Sequence, residues 1–440
     1  MFIWVPETFG PRLYWLWVPH PAAIERVARA HLQLPADRRL SVTFFSEGCL
    51  NKLYTIAVSD DGGNFGSPQY IFRATSTIEP FYKTASEVAT LSYLREHTSI
   101  PVPLVIAHCS TAENELGCEW ILMEKVPGVA LGDVWSETNL ETKKGITRST
   151  AGFVQQLRDI QRPFNAIGNL YFRGDIDTLN PAVPVVPTHD EKYVLGPIVS
   201  IYTCVSGRKL RVQRNLGPYS NDAEYISALI ATEMKEMDLL LSADAGSDLD
   251  FDEDLAEDAE EIKEVLNKLQ KISTTLFSAR PARFSLHHQD LSLENIIVDP
   301  ATYEITGIVD WECVGTRPHW EDNYPLFLIG EEVEGEVEPL APGDRNSWRL
   351  EQQENREKME LRQVFDQEQS ETRREDDKED EVRREFKSQL GWVDILPTIV
   401  GRWVECQHEK IQSDSRKMEK NLFSYSSQLI AFFQSFFSLR

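Results

Sequence analysis

The stretch His288-Gln289-Asp290-Leu291-Ser292-Leu293-Glu294-Asn295, followed downstream by Ile308-Val309-Asp310-Trp311-Glu312, decides how this chain is read. It sets an Asp and an Asn on one tight loop and a second Asp at the end of a short apolar run. Asn295 to Asp299 and Ile305 to Asp310 are β-branched runs separated by a turn at Asp299-Pro300-Ala301, a spacing that predicts a hairpin. An antiparallel ladder sets strand ends side by side, which brings Asp310 back beside Asn295 and Asp290. A lone His-x-Asp is more often a turn or a helix cap. The added Asn, hairpin and second Asp suit phosphoryl transfer from a magnesium nucleotide. One carboxylate accepts the proton of an attacking hydroxyl, while an amide and another carboxylate hold Mg²⁺ against the phosphates.

Upstream, Ser41 to Phe45 and Lys52 to Val58 read as strands flanking Ser46-Glu47-Gly48-Cys49-Leu50-Asn51. Gly48 permits close backbone approach to phosphates, although one Gly also marks an ordinary hairpin turn. Gln69 to Arg73 is a further strand, ending in a basic residue. Thr84 to Arg95 carries Val88, Leu91 and Leu94 on one helical stripe, with Glu87 in the first turn, where the helix dipole also favours a carboxylate. The prolines of Ile100-Pro101-Val102-Pro103 end that helix. Trp120 to Glu124 then reads as a buried strand running into a turn at Pro127-Gly128.

The His288 to Asn295 loop, the Ile308 to Glu312 strand end and the run Ser86-Glu87-Val88-Ala89-Thr90-Leu91 resemble the aminoglycoside phosphotransferase-like family, including fungal-type members of unknown substrate. That family's fold is similar to the protein kinases. The resemblance implies an α+β, protein-kinase-like two-lobed fold with a small β-rich N-lobe and a larger, mainly helical C-lobe. It implies Asp290 as catalytic base, Asn295 and Asp310 as metal ligands, and ATP and Mg²⁺ as cofactors. Gly48 and Asn51 fall in the nucleotide turn. Arg73 stands where a Lys is expected, facing Glu87, with Lys83 as an alternative lysine. Met123, Glu124, Lys125 and Val126 fall at the hinge, where backbone groups meet the adenine. Glu312, Arg317, His319, Trp320 and Glu321 lie where the family shapes its acceptor pocket.

The reading divides the 440 residues into an N-terminal extension (1–40), an N-lobe (41–126) and a C-lobe (127–440). The C-lobe holds the catalytic loop (286–312), an acidic insertion (244–261) and a charged helical excursion (345–388). The acidic run reads as a solvated loop, or as a surface for a polycationic substrate. The excursion reads as a long exposed helix laced by i,i+4 pairs or as partly ordered, and it allows a protein partner. Ile24 to Leu32, Ile146 to Ile160, Ala223 to Leu241 and Ile262 to Phe277 are expected helices, and Leu422 to Leu439 is expected to pack as a helix on the larger lobe. Pro181 to Pro187, ahead of Tyr193 to Pro197, is expected to form an extended loop crossing between lobes.

Composition excludes several classes. Hydrophobic content of 41% supports a sizeable core, and a formal net charge of −25 disfavours nucleic acid or an anionic membrane as partner. The six cysteines form no metal-binding spacing, so reduced thiols in a cytoplasmic protein are expected. Met1 to Pro21 lacks the form of a signal peptide, and no stretch is apolar for long enough to span a bilayer. Two functional classes stand open: a kinase acting on a small-molecule hydroxyl, and a catalytically weak kinase-like binding or scaffold protein. A protein kinase is the lesser reading, because no Asp-Phe-Gly or Ala-Pro-Glu segment follows the loop.

Overall fold

The computed structural model describes residues 2–5, 12–16, 18–35, 37–48, 50–60, 63–160, 164–179, 181–200, 210–242, 253–277, 283–322, 324–330, 344–369, 378–392 and 400. Strands β1 (Phe2–Val5) and β2 (Arg12–Trp15) pair with each other, and α1 (Pro21–Leu32) follows. Next come β3 (Leu40–Glu47), β4 (Asn51–Ser59), β5 (Phe65–Thr75), α2 (Tyr82–His97), β6 (Val105–Cys109) and β7 (Glu119–Glu124). The five strands β3 to β7 form one antiparallel sheet in the order β3-β4-β5-β7-β6.

Alternation along these strands gives the sheet two apolar faces. Tyr54, Ile56, Phe72, Trp120 and Leu122 meet Ile24, Val27 and Ala28 of α1 on one side. Ile71, Ile121 and Met123 meet Val88 of α2 on the other. Helix α2 is therefore buried nearly all round, from Lys83 to Leu94, and is not the one-striped helix expected. It also starts at Tyr82, earlier than the sequence suggested, so Glu87 lies in the second turn and the dipole explanation for it falls away.

The second part of the chain runs β8 (Val129–Ala130), α3 (Leu131–Trp135), α4 (Leu140–Arg158), β9 (Asn169–Phe172), α5 (Arg173–Leu179), β10 (Val186–Pro187), β11 (Tyr193–Gly196), α6 (Asp222–Leu240) and α7 (Glu253–Leu276). Strands β12 (Phe284–His287), β13 (Ile296–Val298), β14 (Ile305–Ile308) and β15 (Gly315–Pro318) follow, then α8 (Asp344–Glu368) and α9 (Lys378–Trp392). Helices α4 and α6 begin on Asn caps, Asn139 accepting from Thr142 N and Asn221 from Glu224 N. The fold is α+β and kinase-like. Among the described residues no helix is long and apolar enough to cross a membrane.

Two expectations are corrected here. The expected loop at Pro181 to Pro187 ends in β10, which with β11 just after it joins a five-stranded sheet ordered β10-β11-β9-β15-β12. Its non-local pairing, residue 169 with 196 and 284 with 318, leaves no local signature. The charged excursion is not an exposed helix: Leu361 and Phe365 of α8 and Phe386 and Leu390 of α9 are buried in the main core. Sparse apolar residues at helical spacing were masked by the surrounding charges. Residues 244–252 of the acidic insertion and the Leu422 to Leu439 segment lie outside the described residues, and 253–261 opens α7.

Candidate active site

The hairpin read from the sequence is present. β13 and β14 pair antiparallel, Ile296 opposite Ile308 and Ile297 opposite Gly307, with a bulge before Val298. Asp299 Oδ1 closes the turn by accepting from Ala301 N and Thr302 N at 2.8 and 3.0 Å. At the open end, Val309 N donates to the Asn295 carbonyl at 3.0 Å. That bond sets Asp310 next to Asn295.

Three further bonds fix the loop. Asn295 Nδ2 donates to the Asp290 carbonyl at 2.8 Å and to Asp290 Oδ2 at 3.1 Å. His288 Nε2 donates to the Val309 carbonyl at 3.1 Å, and its ring stands edge-on to Trp311 with centroids 4.6 Å apart. Burial lowers the His288 pKa to about 4, so the ring is neutral near pH 7 and can keep a proton on the bonding nitrogen. Asp310 itself has φ +62°, the left-handed region that a non-glycine residue enters only when its surroundings enforce it.

The segment read as the hinge runs directly onto this hairpin. Val129 and Ala130 of β8 pair with Val298 and Ile297, and Thr306 Oγ1 donates to the Pro127 carbonyl at 2.6 Å. Gly128, with φ +122°, is required there, because a Cβ would meet the Val298 carbonyl oxygen at 2.3 Å. Met123 is buried in β7 and Glu124 is exposed. The Glu124 and Lys125 N–H groups donate to the Leu104 and Gln69 carbonyls at 2.9 and 3.1 Å, which leaves Val126 at the turn.

On the sheet side, Arg73 and Glu87 form a buried ion pair, as expected, and Arg73 Nη1 also lies 3.5 Å from Asp310 Oδ1. Lys83, fully buried, reaches Glu312 Oε2 at 2.9 Å, and Asn51 Nδ2 reaches the same oxygen at 2.9 Å. Asn51, read as part of the nucleotide turn, thus points at Glu312, while Gly48 sits in the turn with open space around its α-carbon. Cys49 lies outside the described residues. Glu312, read as an acceptor-pocket residue, faces the sheet side instead. Arg317 and Trp320 are buried, Arg317 Nη1 donating to the Thr316 carbonyl and Trp320 Nε1 to Asp222 Oδ2.

Three carboxylates therefore share a small space, and their ionisation differs. Burial, then the Glu312 charge, push the Asp310 carboxyl up, with Arg73 opposing. Burial would also raise Glu312, but the Lys83 and Arg73 charges and the Asn51 bond outweigh it and hold Glu312 low. The difference follows from distance, since the Lys83 ammonium sits closer to Glu312 than Arg73 does to Asp310. Desolvation by the surrounding protein pushes Asp290 up, the Asn295 hydrogen bond opposes this and the Glu312 charge adds to it.

A cavity of about 370 Å³ adjoins the His288 to Asn295 loop, with Gln289 and Leu291 in its wall. Several of its charged groups are joined to one another. Arg158 Nη1 lies 2.9 Å and His287 Nε2 2.8 Å from Asp322, and Lys387 of α9 binds Glu321. His319, also read as a pocket residue, is partly buried, and burial lowers its pKa to about 4.

The chain is similar to several known proteins. A subtelomeric hrmA-associated cluster protein of Aspergillus fumigatus is 29% identical over 280 residues, which cover 56% of this chain and 53% of that protein. The mitochondrial protein altered inheritance of mitochondria 9 of Meyerozyma guilliermondii is 26% identical over 308 residues, 66% of this chain and 50% of that one. The chain spans about half the length of these curated relatives. Among solved structures, the ADP-bound aminoglycoside phosphotransferase APH(2'')-Ib is similar at 11% identity and a TM-score of 0.40, covering 91% of this chain and 93% of that one. A family model matches residues 41–337, and the chain belongs to the phosphotransferase enzyme family.

Proposed function

We propose that this protein transfers the terminal phosphoryl group of ATP, with Mg²⁺, to a hydroxyl of a small molecule. The observation that carries the reading is the loop and hairpin geometry. Asn295 is hydrogen-bonded to Asp290 at 3.1 Å and joined through its carbonyl to Val309 at 3.0 Å, so a base and two oxygen ligands converge. In this reading Asp290 accepts the proton of the acceptor hydroxyl, and its raised pKa suits a base that must also release that proton.

The donor set fits a hard cation. Asn295 donates through Nδ2, which leaves its side-chain Oδ1 available, and Asp310 Oδ1 is buried without a hydrogen bond. Asn295 and Asp310 would hold the metal, which when bound neutralises phosphate charge. Arg73, fixed by Glu87, brings a guanidinium to the same place. Gly48 and the hinge from Met123 to Val126 would bound the nucleotide; with the Glu124 and Lys125 N–H groups engaged, other backbone groups of that segment would read the base.

The cavity beside Gln289 and Leu291 would take the acceptor. The test is ATP consumption against a panel of hydroxylated amines, sugars and antibiotics, run with wild type and Asp290→Ala. The reading expects at least one acceptor whose phosphorylation requires Asp290. Equal turnover by both proteins would remove Asp290 from the role.

A further inference from the structure

Two ion pairs cross from the amino-terminal sheet and α2 to the end of β14. Arg73 faces Asp310 at 3.5 Å, and Lys83 faces Glu312 at 2.9 Å. The second pair belongs to a denser network. Glu312 Oε2 accepts from both Lys83 Nζ and Asn51 Nδ2, while Asn51 Oδ1 accepts from Thr75 Oγ1 at 2.8 Å and Lys83 Nζ at 3.3 Å. The Asn51 carbonyl also accepts from Gly48 N at 2.9 Å, so the residue that grips Glu312 is the one that closes the glycine turn.

We propose that Glu312 is a positioning residue that ties the glycine turn and α2 to Asp310, and that it is not itself a metal ligand. The proposal rests on the phosphotransferase reading above. Lys83 is fully buried, so drawing Glu312 toward a metal would strand an ammonium inside protein. Asp310 is differently placed: Oδ1 receives no hydrogen bond, Arg73 stands at 3.5 Å, and the side chain keeps 35% of its surface open. It can turn to a cation while Glu312 stays put. Between them Trp311 Nε1 donates to the Ile308 carbonyl at 2.9 Å, so the left-handed turn at Asp310 is clamped on its far side as well.

The experiment is calorimetric ATP binding, with Mg²⁺ and with EDTA, on Glu312→Gln, Lys83→Met, the double variant and Asn51→Ala, together with melting temperatures of the nucleotide-free proteins. A brace predicts that Glu312→Gln and Lys83→Met each cut the Mg²⁺-dependent gain in ATP affinity about tenfold while Mg²⁺-free binding changes less than twofold. It also predicts that the double variant loses no more than either single one and melts higher than Lys83→Met. Asn51→Ala, which strands no charge, should cut the gain about threefold. Loss of the gain in Glu312→Gln with Lys83→Met unaffected would show a direct ligand and overturn the proposal. So would additive losses, or an unchanged gain in every variant. Absence of any gain in wild type is a separate outcome, which overturns the phosphotransferase reading and the proposal with it.

Discussion

The two sides of the candidate site are built in opposite ways. On the hairpin side, Asp290, Asn295 and Asp310 come from one short stretch and are set by bonds between near neighbours. On the sheet side, Asn51, Arg73, Lys83 and Glu87 come from β4, β5 and α2, and buried ion pairs and hydrogen bonds spanning up to 261 positions hold them to each other and to the hairpin. A local motif survives without its surroundings as a pattern in sequence, whereas a charge network exists only once the chain is folded. The hairpin side should therefore respond to substitution in catalysis and direct metal binding, and the sheet side in stability and in how firmly the metal ligand is held.

The largest effect separates the two directly. Asp290→Ala should slow phosphoryl transfer roughly a thousandfold while leaving ATP affinity within about twofold. A comparable loss of binding in a titration would erase the distinction. Next, Glu87→Ala leaves the Arg73 guanidinium buried without its acid, and denaturant unfolding should show a loss of about 3–5 kcal/mol. A loss under 1 kcal/mol would mean that solvent already screens the pair.

The third prediction turns on pH. His288 is held near 4 in the folded protein against an ordinary value of 6.5, so the unfolded chain binds its proton more readily. Its contribution is complete above pH 6.5 and is lost as pH falls toward 4, about 2 kcal/mol between pH 6.5 and 5. Urea unfolding across that range should show the slope in wild type and a shallower one in His288→Gln. Identical slopes would place the ring in contact with water. The smallest effect is expected at Gly48, where a Cβ would meet nothing within 4 Å and the backbone is not left-handed. Gly48→Ala should change stability by less than about 0.5 kcal/mol. A tenfold loss of ATP affinity in that variant would show that nucleotide closes the turn far more tightly.

These contrasts also explain what the amino-acid sequence disclosed. Strands β3, β4, β5 and β7, helices α1, α4 and α6, and the β13–β14 hairpin follow from periodicity and turn residues, so they are legible, whereas β6, a short run after the prolines, is not. The Arg73–Glu87 pair was legible only because the catalytic loop gave both residues a context. Lys83 is the nearest lysine to Arg73 in sequence, but its partner Glu312 lies 229 positions away, at a position that the family resemblance puts on the acceptor side. Strands β10 and β11 escaped because Pro-rich, irregular segments become strands here only by pairing with β9. The buried stripes of α8 and α9 escaped because few apolar residues carry each contact amid many charges.

The central claim is that Asp310 and Asn295 form a metal site for a nucleotide, and a thermal-shift titration of wild type and Asp310→Ala with ATP, with and without Mg²⁺, tests it most directly. Wild type should melt about 3 °C or more higher with millimolar ATP and Mg²⁺ than with ATP alone. Asp310→Ala should show no such difference. An equal shift with and without Mg²⁺ in wild type would contradict the claim.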